Sequence, residues 1–93
     1  MRYRSRAEII ARILEAADGN GSSKTKIMYR VMLSYPQIKE YLRTLLDSGL
    51  IEKMRDSNAF KTTQKGIQFL EINEKVQKML QSNNLSARAN SAL

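Results

Sequence analysis

The run Lys24–Gly66, KTKIMYRVMLSYPQIKEYLRTLLDSGLIEKMRDSNAFKTTQKG, decides the fold. Ser34 and Gln37 in it make the S-x-x-Q of a capping box, and Pro36 follows in the first turn, where its missing N–H costs no helical hydrogen bond. A helix therefore begins at Tyr35. At helical spacing Ile38, Leu42 and Leu45 share one face, flanked by Tyr41 and Leu46, while Gln37, Glu40, Arg43, Thr44 and Asp47 lie opposite. Gly49 supplies the stop. Just upstream, Ser22 and Ser23 cap a shorter helix with Ile27, Met28 and Val31 inward and Lys24, Lys26 and Arg30 outward, ending near Met32. Downstream, Leu50–Arg55 and Ala59–Thr62 read as two strands joined by the turn cluster Asp56-Ser57-Asn58, with a register that no clean apolar face determines.

Working outward, Ser5 and Glu8 form another capping-box pattern, so a first helix spans about Arg6 to Ala17, with Ile9, Ile10, Ile13, Leu14 and Ala17 inward and a stop at Asp18-Gly19-Asn20-Gly21. Thr63 caps a last helix from about Gln64 to Gln81, and Gly66 within it predicts close packing against another helix. Short helix, capped helix, hairpin, helix is the order of a winged helix-turn-helix. The expected class is mainly α with a small β-hairpin: a three-helix core, a two-stranded wing and a C-terminal dimerisation helix. The corresponding divisions are a DNA-binding unit with a basic arm at 1–63, the packing and dimerisation helix at 64–81, and a disordered tail at 82–93 rich in Asn, Ser and Ala.

With 93 residues the chain supports one core. Its net charge of +7 favours a phosphate-rich or otherwise anionic partner. It has no cysteine and no histidine, which removes the thiolate nucleophile, the commonest metal ligand and the side chain that titrates near neutrality. An enzyme, a metal site or a cofactor is not expected, and no clustered carboxylate motif supplies the chemistry instead. No apolar run approaches the roughly 18 residues of a membrane span, so the reading is a soluble, cytoplasmic, nucleoid-associated protein without a membrane partner. Once the winged helix is counted, no segment remains for a small-molecule substrate.

A helix that enters the major groove needs polar groups that reach base edges and an apolar back that seats it. The capped helix offers Ser34, Tyr35, Gln37, Lys39, Glu40 and Arg43, where Gln suits adenine and Arg suits guanine. Further cations surround it: Arg2 and Arg4 in the arm, Lys24 and Lys26 on the preceding helix, and Lys53, Arg55 and Lys61 on the hairpin. Tyr35 has two readings, packing on a sugar or thymine methyl, or stapling its own turn. In the last helix Ile67 and Leu70 suit the domain core, whereas Phe69, Ile72, Val76, Met79 and the adjoining Leu80 form a second stripe that predicts a symmetric homodimer. The alternative is a helix lying wholly on its own domain.

Thr25-Lys26-Ile27-Met28-Tyr29, Leu33-Ser34-Tyr35, Gln37, Tyr41-Leu42, Leu45, Gly49-Leu50-Ile51, and Thr63 with Gly66 resemble the archaeal winged-helix family of small basic ten-kilodalton chromatin-associated DNA-binding proteins and predicted transcriptional regulators. The resemblance covers about Ser5 to Leu70. It implies a winged helix, double-stranded DNA binding through the third helix and the wing, and dimerisation through an antiparallel coiled coil of the last helix. This chain departs from the chromatin-type pattern after Leu80, where the heptad spacing fades into Asn83-Asn84 and a Ser/Ala tail. The function expected is that of a transcription regulator or nucleoid-associated protein. The rival is a protein-interaction module without DNA binding, to which Glu40 and Asp47 on the exposed face lend support.

Overall fold

Serine caps set the register of the first three helices. Ser5 accepts from the Glu8 amide at 3.1 Å and opens α1 (Arg6–Ala16); Ser23 accepts from the Lys26 amide at 3.2 Å and opens α2 (Lys24–Val31). At α3 (Tyr35–Asp47) the capping box closes in both directions, Gln37 N–H to Ser34 Oγ at 3.3 Å and Ser34 N–H to Gln37 Oε1 at 2.9 Å. The Ser5–Glu8 pattern delivers only its serine half among the described residues. The computed structural model describes residues 4–91, with side-chain burial for 4–81.

Between α2 and α3 the chain turns through Met32, which lies in the left-handed region at φ 58°, and Leu33 N–H returns to the Met28 carbonyl at 3.1 Å. This is a Schellman closure made without glycine, and the methionine conformation costs about 1–2 kcal/mol. The turn sets α2 and α3 as the two helices of a helix-turn-helix.

Three strands follow from the pairing, one more than the sequence suggests. β1 (Ser22–Ser23), β2 (Ile51–Lys53) and β3 (Ala59–Thr62) form an antiparallel sheet in the order β1-β3-β2, with Ser22 opposite Phe60 and Lys53 opposite Phe60 on the other side. Ser22 and Ser23 thus act as strand and cap together. β2 is shorter than the expected Leu50–Arg55, because the turn closes at Met54, whose N–H bonds the Ala59 carbonyl at 2.8 Å.

Ile13 and Leu14 of α1, Ile27 and Val31 of α2, Ile38, Leu42 and Leu45 of α3 and Ile51 of β2 form the buried core, with Tyr41 partly buried against it. Thr62 is the buried polar side chain among the described residues, and it ties β3 to the end of α1. Its hydroxyl donates to the Leu14 carbonyl at 2.7 Å and its N–H to the Ala17 carbonyl at 3.1 Å, while the Ser22 hydroxyl donates to Ala16 O at 2.9 Å. The carbonyls that a helix end leaves open are thereby satisfied by the sheet.

Thr63 caps α4 (Gln64–Ser91) through the Gly66 amide at 3.1 Å. Gly66 is buried, but not against another helix as expected: a Cβ there would run into the Leu50 carbonyl oxygen and Thr62 Cγ2. The close approach is to the backbone entering β2. α4 also continues to Ser91 rather than ending at Gln81. Ser82–Ser91 contains no Gly or Pro to stop the helix, and Leu85, Ala87, Arg88 and Ala89 offset its weaker Ser and Asn positions, so the helix runs on through the segment read as a tail. The 28-residue helix is about 42 Å long at 1.5 Å per residue.

Replacing the Thr62 hydroxyl by a methyl leaves the Leu14 carbonyl buried without its partner. Thr62→Val is expected to lower unfolding free energy by about 1–3 kcal/mol in urea titrations, with Thr62→Ser losing less; equal stability of Thr62→Val and wild type would contradict the role given to this bond.

Candidate nucleic-acid interface

The outer face of α3 gathers cations around one tyrosine. Lys24, at the first position of α2, donates from Nζ to the Tyr35 phenol oxygen at 3.3 Å and lies 4.9 Å from its ring centroid; Lys39, one turn along α3, lies 5.6 Å from the same ring. Cations over an aromatic face are attracted by its quadrupole, so the ring holds two flexible lysines from two helices on one surface. Tyr35 is 52% exposed and presents the rest of its ring to solvent. The hydrogen bond from Lys24 and then its charge, with a smaller contribution from Lys39, hold the phenol below the usual tyrosine value despite a small opposing desolvation.

Three adjoining hollows run from this point. One of about 330 Å³ lies along Tyr35, Pro36, Lys39, Glu40 and Arg43. The next, about 240 Å³, lies between α3 and the sheet over Leu42, Leu46 and Phe60, with Lys24, Lys39, Arg43 and Asp47 also lining it. The third, about 360 Å³, crosses to the wing past Lys24, Phe60, Lys53 and Asn58. Each shares residues with its neighbour, and together they form a trough along α3 and over the sheet.

The residues singled out in the sequence divide accordingly. Lys24, Tyr35, Lys39, Glu40, Arg43 and Lys53 line the trough. Lys61 does not: it pairs with Glu52, and the pleat places it on the face opposite Phe60 and Lys53. Arg55 is exposed in the hairpin turn and Lys26 is exposed on α2. Ser34 and Gln37 are engaged in the capping box, so the Gln37 NH₂ group is free for a base while its oxygen already accepts from Ser34 N–H; a bidentate adenine contact has to share that oxygen or open the box. Arg4 reaches back to the Met32 carbonyl at 3.5 Å, and Arg6 stacks over Tyr41 at 5.1 Å, so this part of the arm lies against the helices. Arg2 lies outside the described residues.

Phe60 is the trough residue that the sequence reading missed. A lone aromatic between Ala59 and Lys61, in a strand without clean alternation, carries no signal for a ring that packs on the core and borders the trough; its place follows from pairing with β1 and β2.

On α4, Phe69 packs partly buried against its own core with Leu70, unlike its expected place on the outer stripe. Ile72, Val76, Met79 and Leu80 are 62%, 44%, 63% and 51% exposed. Among the described residues no group of His, Cys, Asp and Glu could hold a metal ion, and no helix is long and apolar enough to cross a membrane.

These elements define a winged helix-turn-helix, and the profile of the winged helix-turn-helix family matches residues 3–81: the chain belongs to that family. Its structure is similar to that of Sso10a-2, a DNA-binding protein from Sulfolobus solfataricus, with a TM-score of 0.75 and 22% identity over 96% of this chain and 94% of the other. Among curated proteins no sequence matches significantly.

The lysine contacts give Tyr35 an observable signature. A spectrophotometric titration of the phenols should contain a component below the ordinary value of 10.0, because donation and positive charge both favour the phenolate. The component should be absent from Tyr35→Phe and move upward in Lys24→Gln; an unchanged curve in both variants would show that the contact does not persist in solution.

Proposed function

We propose that the protein binds duplex DNA as a symmetric dimer and acts in the cytoplasm as a transcription regulator or nucleoid-associated protein. The observation that carries this reading is the convergence of Lys24, Tyr35, Lys39 and Arg43 on the outer face of a helix whose apolar side is locked into the core. α3 enters the major groove with Tyr35, Lys39, Glu40 and Arg43 toward the bases and with Gln37 offering its NH₂ group. Lys24 and Lys53, with Arg55 at the wing tip, meet phosphates beside it, and Lys26, Arg2 and Arg4 add to the field. Fold similarity to a protein described as DNA-binding supports the same assignment.

The dimer rests on Ile72, Val76, Met79 and Leu80, which leave an apolar stripe uncovered by the chain's own core. Pairing of this helix with its copy buries the stripe and sets two recognition helices at a fixed spacing. A second reading, docking to a protein, draws on Glu40 and Asp47, two acids that line the same hollows.

Anisotropy of a labelled duplex at several salt concentrations tests the DNA reading. Binding should weaken steeply with salt. Arg43→Ala should lose about 1–3 kcal/mol if Arg43 reads a base, and Lys39→Gln should lower the salt slope by about one. Absent or salt-insensitive binding would favour the protein-docking reading.

Sedimentation equilibrium addresses the stripe separately. Wild type should be dimeric and Ile72→Lys/Val76→Asp monomeric with its fold retained; a monomeric wild type at high micromolar concentration would remove the dimer.

A further inference from the structure

Duplex DNA shows a protein its phosphates and base edges, whereas the faces of its bases are stacked and closed. An aromatic ring beside a cation-lined trough meets only a sugar or a thymine methyl of such a ligand, whereas an unpaired base stacks on the ring itself. Phe60 is such a ring: half-buried on β3, it borders both the hollow toward α3 and the hollow toward the wing. Lys24 lines both hollows and also sits over Tyr35, so the aromatic pair Tyr35 and Phe60 is interleaved with a cation.

We propose that this trough binds single-stranded nucleic acid, with one unpaired base stacked on Phe60 and the sugar–phosphate chain running along Lys39, Arg43, Lys24 and Lys53. Aromatic platforms beside a basic groove are how proteins hold single strands without reading sequence. Charge places the parts of the ligand. Asp47 lines the hollow over Leu42, Leu46 and Phe60, where it repels a phosphate and accepts from a base N–H. The base therefore occupies that hollow and the phosphates keep to the lysines. This site does not depend on the duplex reading, but it shares Lys24, Lys39 and Arg43 with it, so the two ligands compete.

The chain has no tryptophan, so Phe60→Trp places a single reporter at the proposed stack. It is titrated with oligothymidylate and oligouridylate of about 12 nucleotides, a duplex of equal length, and heparin as a polyanion without bases. Single strands should quench the tryptophan and heparin should not. Wild-type affinity for the single strands should fall about five- to a hundredfold in Phe60→Leu, which keeps an apolar contact, and recover in Phe60→Tyr, which restores the ring. Should Phe60→Leu fail to fold, the quenching in Phe60→Trp decides alone.

Single strands that bind without quenching, or no more tightly than heparin, overturn the proposal. Duplex binding without single-strand quenching overturns it and leaves the DNA reading intact; quenching without duplex binding supports it and removes the DNA reading instead. Preference for oligouridylate identifies RNA through its 2′-hydroxyls, and equal response identifies a site for either strand.

Discussion

The hydrogen bonds from Thr62 to the end of α1 hold the arrangement together. A helix C-terminus leaves its last carbonyls without partners, and burying them unsatisfied is expensive. Here the hydroxyl and the N–H of one strand residue meet two of those carbonyls, Leu14 and Ala17, and Ser22 meets Ala16 from the neighbouring strand. The sheet therefore cannot separate from α1 without opening several buried groups at once. One residue further, Thr63 bonds the carbonyls of Gly49 and Leu50, and Gly66 lets α4 pass against the Leu50 backbone. Wing, α3 and long helix are referred to one frame within a few residues of chain.

That frame determines what the surface presents. With α3 held by Ile38, Leu42 and Leu45, its opposite face looks outward across the sheet, and β3 places Phe60 beside it. Several cations are positioned by neutral groups: Lys24 by a phenol, Arg4 and Lys65 by backbone carbonyls, Arg6 by an aromatic ring. The ion pair among the described residues is Lys78–Glu74, at 3.6 Å on the exposed side of α4, where such pairs contribute little. Lys24 beside α3 is thus ordered without an ion pair, and Lys39 and Arg43 of α3 form none among the described residues, a combination suited to a polyanion.

Helix starts were legible because their determinants are local. A serine two or three residues before the amides it caps, a proline in a first turn and an apolar spacing of three and four act within a single turn, so Ser5, Ser23, Ser34 and Thr63 announced four helices and the Ile38, Leu42 and Leu45 face announced the core. The end of α4 was less legible, since Ser and Asn from Ser82 onward disfavour a helix while Leu85, Ala87, Arg88 and Ala89 favour one and no Gly or Pro marks a stop. Gly66 signalled a close approach, while the group approached, Leu50 O, belongs to another element.

Sequence alone determined the order of the four helices and the hairpin, the polarity of the helix faces, the net positive charge and the absence of histidine and cysteine, all of which depend on residue identity and short-range spacing. Tertiary structure decided that Ser22–Ser23 is a strand, that Lys53 shares the face of Phe60 while Lys61 faces away, that Phe69 joins the core and that Phe60 borders a basic trough. The reason is the pleat. A strand's side chains alternate between faces, and which face meets α3 depends on pairing between residues as far apart in sequence as Ser22 and Phe60, a contact that no local pattern encodes.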